Sequence, residues 1–248
     1  MKLSNKLLVG LLGVVLLTLV GSTLALKTQQ DSIDYSNRFY GFSREPIRRF
    51  TVLCIEGVQR KLEADQPNQG IFRPIPPDRY TTLGLLGGPT FEIRVLEGTK
   101  VPYTLRSQGD TLFVAFEAQF YPETLKGEAP FARQPFAYII APNVQSLLVR
   151  EATCLVDKLA SPDFTLRSTH ARVLLSNSRI TRWQATLQAG SLLQTAGTNQ
   201  VGQAVLAGRD STELVVGHDT FGSLAFQLDS NSTVKASMAV FRKVKASL

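Results

Sequence analysis

A chain of 248 residues has room for one large domain or two small ones and is long enough to bury a core. Charged residues make up 19% and hydrophobic residues 44%, which excludes a disordered polyelectrolyte and suits a β-rich protein with Ser, Thr, Asn and Gly turns. A net charge of +7 and a pI of about 9.6 favour anionic partners, either lipid headgroups or acidic glycans. Nucleic acid is set aside, because no recognition motif is present and the leader would carry the domain away from it.

Residues 1–6 hold Lys2 and Lys6 and are expected to remain cytoplasmic. Residues 7–26 (Leu7 to Leu26) contain no charge, and as a helix they would span roughly 30 Å, the hydrocarbon thickness of a bilayer. They are read as a single-pass transmembrane signal-anchor. The rival reading is a cleaved signal peptide, with Thr23-Leu24-Ala25 as the small-residue site. Either way, everything after Lys27 is expected outside the cytoplasm, in the periplasm or at the surface of a bacterial cell.

Residues 27–46 are polar, with Tyr35, Phe39, Tyr40 and Phe42 interspersed, and read as a juxtamembrane linker. An exported domain is expected over 47–240. Its first half offers strand-like runs at Phe50–Ile55, Phe91–Val95, Val101–Leu105 and Thr111–Phe116, with a turn at Gln108-Gly109-Asp110. Pro67, Pro74, Pro76, Pro77 and Pro89, together with Gly84, Gly87 and Gly88, mark a long loop between the first two runs, read as an insertion or a variable binding loop.

From about Asn143 onward, apolar triplets alternate with turns. One series starts at Phe164, Ala185, Ala204 and Leu224, and a second at Val173, Leu192, Leu214 and Val234. Both repeat at about 20 residues, the signature of stacked two-strand rungs. A β-sandwich with strands every 8–12 residues is the alternative. Residues 241–248 form a basic tail, with Arg242, Lys243 and Lys245. Cys54 and Cys154 lie in apolar β-like runs. Either a disulfide closes a loop of about 100 residues between them, or both are thiols packed as small hydrophobes.

The succession Phe91-Glu92-Ile93-Arg94-Val95-Leu96-Glu97-Gly98, Asp110-Thr111-Leu112-Phe113-Val114, Ala141-Pro142-Asn143-Val144-Gln145-Ser146-Leu147 and the rungs after it resembles the auto-transporter adhesin head domain, or GIN domain, of bacterial envelope proteins. The resemblance runs from about 47 to 240. It implies an all-β chain folded as a single-stranded right-handed parallel β-helix (a solenoid) after the N-terminal hydrophobic helix, and it brings no catalytic residues. The chain differs from that pattern in its Pro-rich insertion, in rungs poor in Gly-Asp turns, and in lacking a lipobox Cys near residue 25.

Catalytic equipment is not evident. His170 and His218 have no partner at metal-ligand spacing, and neither a nucleophile elbow nor a phosphate loop is present. Arg209-Asp210 with Glu213 is the one tight charged cluster among the rungs, but Ser230 and Thr233 align with the two acids, so no ladder of carboxylates forms. No catalytic, cofactor-binding or metal-binding residue is assigned, and no cofactor is expected. The expectation is a non-enzymatic, membrane-tethered binding, adhesion or scaffolding domain whose partner is an anionic glycan or an envelope protein. A glycan-active envelope enzyme and an accessory subunit of a membrane complex are the alternatives.

Overall fold

The computed structural model describes residues 3–31, 34, 37–58, 82–117, 131, 134–217, 220–242 and 244. Contacts divide the chain into two units, Met1–Gly41 and Phe42–Leu248. Pro67, Pro74, Pro76, Pro77 and His218 lie outside the described residues.

The first unit holds helix α1, Leu3–Asp31. Within it Gly10–Thr28, 19 residues, forms a helix apolar and long enough to cross a membrane, with none of that window buried; a signal sequence meets the same criteria. Its few hydroxyls turn back onto the helix. Thr18 Oγ1 donates to the carbonyls of Val14 (3.0 Å) and Val15 (2.8 Å), Ser22 and Thr23 to Leu19, and Thr28 to Leu24. These hydroxyls thus find acceptors within the helix and need none from its surroundings.

The second unit is a pair of mixed sheets enclosing one core. In chain order the strands are β1 Phe42–Pro46, β2 Val52–Val58, β3 Thr82–Gly87, β4 Glu92–Leu96, β5 Tyr103–Gln108, β6 Thr111–Glu117, β7 Ala137–Ala141, β8 Ser146–Arg150, β9 Thr153–Asp157 and β10 Ala160–Thr169. After them come β11 Arg172–Ser176, β12 Arg179–Gln188, β13 Leu192–Ala196, β14 Gln200–Gly208, β15 Glu213–Val216, β16 Thr220–Leu228 and β17 Thr233–Ala236, then the short helix α2, Met238–Phe241. Of the stretch read as a linker, its first residues lie in α1 and its last form β1.

The nine-stranded sheet runs β1-β4-β7-β3-β9-β11-β13-β15-β17, and the eight-stranded sheet runs β16-β14-β12-β10-β8-β2-β6-β5. The expectation of a single-stranded parallel β-helix is therefore corrected. The pairs β1–β4, β4–β7 and β5–β6 are antiparallel, and the first half of the chain is out of sequence order. Strand β2 lies between β6 and β8, with Val52 opposite both Thr111 and Ser146. Likewise β3 lies between β7 and β9. The tight turn that reverses β5 into β6 is the one at Gly109 (φ 61°) and Asp110, where only glycine takes that backbone without strain.

From β8 onward neighbouring strands are parallel, and alternation places the apolar side chains inside. Phe164, Leu166, Leu187, Leu206 and Leu224 are all buried, while Thr165, Thr186 and Val205 between them are half-exposed. Register differs in detail from the periodic reading. Phe164 faces Trp183, and Ala185 faces Leu206, a slip of two residues that leaves each side chain on the same face. Val173 faces Leu193, not Leu192, because the β12–β13 corner uses two left-handed residues, Ala189 and Gly190, where the β10–β11 corner uses His170 alone. Buried polar side chains tie the corners together. Ser178 donates its N–H to Asn199 Oδ1 (2.9 Å), Leu159 N–H reaches Ser178 Oγ (3.1 Å), and Ala171 N–H reaches Ser191 Oγ (3.2 Å). These are the backbone groups that a corner leaves without sheet partners. At the far end α2 folds over the core and buries Val240.

Candidate functional site

Because alternate residues of each strand point outward, the outer face of the eight-stranded sheet gathers side chains distant in sequence. Register puts Arg106, Phe113, Cys54, Leu148, Arg167 and Thr186 in one row, one from each of six adjacent strands. The next row along the strands is Glu56, Arg150, Thr169 and Gln188. From Phe113 to Thr186 and Gln188 these residues line an open groove of about 510 Å³, with Arg106 at the end of the row beyond it. A second groove of about 300 Å³ spans β10, β12 and β14, where Asp163, Arg182, Gln184, Gln203 and Val205 contribute.

The Arg106 guanidinium lies 4.8 Å from the centre of the Phe113 ring, a cation–π arrangement that holds the cation at one end of the row. Arg150 reaches Glu56 at 3.6 Å, with both side chains more than half exposed, so the pair is weak. Arg182 grips Asp163 with two hydrogen bonds, one of 2.7 Å from Nη2 to Oδ2, and holds that carboxyl below its ordinary range. Arg167, between Leu148 and Thr186, is exposed and has no carboxylate partner among the described residues.

Cys54 and Cys154 are both free thiols. Cys54 points outward in the groove, half-exposed, whereas Cys154 points into the core from β9 in the other sheet. Burial pushes the Cys54 thiol up against the opposing charge of Arg150, with Glu56 adding to the rise. Burial pushes Cys154 to about 12. Neither thiol is poised as a nucleophile at neutral pH.

The residues singled out in the sequence for chemistry do not converge. His170 is exposed at a corner with φ 49°, so its position reflects a turn. Asp210 occupies another left-handed corner, where its N–H donates to Asp229 Oδ2 (2.7 Å), while Glu213 pairs with Lys235 at 2.5 Å on the outer face of the nine-stranded sheet. Among the described residues no group of three His, Cys, Asp or Glu side chains is placed to hold a metal ion. The groove residues carried no local motif, since Cys54, Phe113 and Arg167 come together only through strand pairing.

No protein-family model matches the chain, so the family resemblance is not carried further. No curated protein matches it either. Among solved structures, one described as "a putative cell adhesion protein" from Clostridium sporogenes aligns with 79% of this chain and 99% of its own length, at 5% identity and a TM-score of 0.24. A likeness that slight carries no argument about fold or function.

Proposed function

We propose that the chain is a non-enzymatic binding domain of the bacterial envelope, held to a membrane by α1 and displaying its β unit outside the cytoplasm. The observation that carries the binding part is the open groove on the eight-stranded sheet, built from polar and cationic side chains on five paired strands. Its lining has the chemistry of recognition: guanidinium, amide and hydroxyl donors over a small apolar floor, and a single acid, Glu56. The apolar helix α1, its hydroxyls bonded within it, supports membrane attachment.

A photo-crosslinking amino acid placed at Thr186 of the full chain, in the cells that make it, should yield a discrete adduct. The same group at Lys235, on the other sheet, should not. Equal labelling from both positions, or none from either, would refute this face as the binding surface. For the non-enzymatic part, Asp210→Asn combined with Glu213→Gln should leave envelope glycan turnover unchanged; a lost activity would establish an enzyme instead.

A further inference from the structure

The row from Arg106 to Thr186 crosses six strands, about 24 Å at the usual strand spacing. Its two guanidiniums, Arg106 and Arg167, stand at either side of the floor formed by Phe113, Cys54 and Leu148, and neither has a carboxylate partner among the described residues. Thr169 and Gln188 repeat hydrogen-bonding groups in the adjacent row. We infer that this face takes a linear polysaccharide bearing carboxylates, laid across the strands, its acid groups meeting Arg106 and Arg167 and its ring C–H faces resting on Leu148 and Cys54. This deepens the binding reading above and rests on it.

Three features of the groove favour a polyanionic chain. Cations recur along a line without matching acids, which suits a polymer with regularly spaced charge. The strands that line the groove, β6, β2, β8, β10 and β12, are each paired on both sides, so a peptide cannot join there by adding a strand. Among the described residues the bulky exposed apolar side chains on the β unit are Val58, Met238 and Phe241, none of which belongs to the row, so the row itself has no apolar anchor for a bilayer.

Full-length protein in detergent would be titrated with polygalacturonate and, in parallel, with its fully methyl-esterified form. The acid form should bind and weaken with added salt, while the ester should not bind. Arg106→Gln and Arg167→Gln should each weaken binding about tenfold, the loss of one charge-assisted contact. Lys235→Gln removes the same charge from the other sheet and should change little. Equal binding of acid and ester, or an equal loss from Lys235→Gln, would overturn the inference. No polysaccharide binding combined with a protein adduct at Thr186 would overturn it while leaving the binding-domain reading intact. No binding and no adduct would sink both.

Discussion

Glu92 is buried in β4 yet charged, and two arginines account for it. Its Oε1 accepts from Arg94 Nε (2.7 Å) and lies 2.7 Å from Arg94 Nη2, while Oε2 lies 2.5 Å from Arg44 Nε without hydrogen-bond alignment. Burial alone would raise its carboxyl. The Arg94 hydrogen bond, a Thr90 hydrogen bond and both guanidinium charges outweigh that and hold it below the ordinary 4.5. A carboxyl lowered by folding stabilises fully above its unfolded value and loses that contribution as pH falls through the lowered value. Glu92→Gln should therefore cost about 1–3 kcal/mol near neutral pH, and urea melts should show the gap closing below pH 4.5. Trp183 presents the opposite case. Its ring stacks on Phe221, with centroids 6.5 Å apart and planes 9° from parallel, but the buried indole N–H has no acceptor among the described residues. Trp183→Phe keeps much of the stack and removes the unmet donor, so it should be near neutral, whereas Trp183→Ala should cost about 3–5 kcal/mol.

Among the strands, stability comes from side chains that meet their counterparts on the next strand. Leu206 of β14 is buried between Ala185 and Phe226, so Leu206→Ala should cost about 2–5 kcal/mol. Thr186 faces outward on β12, and Thr186→Ala should cost under about 1 kcal/mol in the same melts. Where the long strands bend, Gly202 stands so close to β12 that an added methyl would meet the Thr181 carbonyl oxygen at 2.6 Å. Backbone cannot yield as a side chain would, so Gly202→Ala should cost about 1–3 kcal/mol. Inward and outward facing was legible in the sequence, because alternation is a local property. Register was less so: shifts of two residues preserve facing, and a second corner residue such as Gly190 displaces the next strand without altering its pattern. The place of β2 beside both β6 and β8 was not legible at all, since it depends on pairing across a long insertion. For the same reason the groove was hidden: no window of sequence contains more than a fragment of it.

At the scale of the molecule, the apolar helix and the β unit make separate demands. If α1 stays in the mature chain, the protein should resist carbonate extraction and keep Met1 as its first residue; an N-terminus at Leu26 or Lys27 would show a removed signal instead. The β unit contains one short helix among its described residues, so its circular dichroism should be dominated by strand. Its sheets end in strands that carry their own deterrents to further pairing: Arg44 and Pro46 on β1, Arg106 on β5 and Lys235 on β17, while Val244 bridges to Leu224 on β16. Strands β2 and β3, paired on both sides, should exchange their amide hydrogens more slowly than β1, β5 and β17, as hydrogen-exchange mass spectrometry would show.

That interior placement of β2 also sets an order of events during synthesis. A strand made early must wait for two later arrivals, β6 on one side and β8 on the other, before its edges are covered. Until Ser146 has left the ribosome, Val52–Val58 keeps at least one hydrogen-bonding edge bare, even once β6 has covered the other. The later strands, from β10 to β17, can instead be added one after another to a surface that already exists. Folding is thus front-loaded with long-range closure and finishes as stepwise growth, so the slow and aggregation-exposed interval falls before the chain is complete.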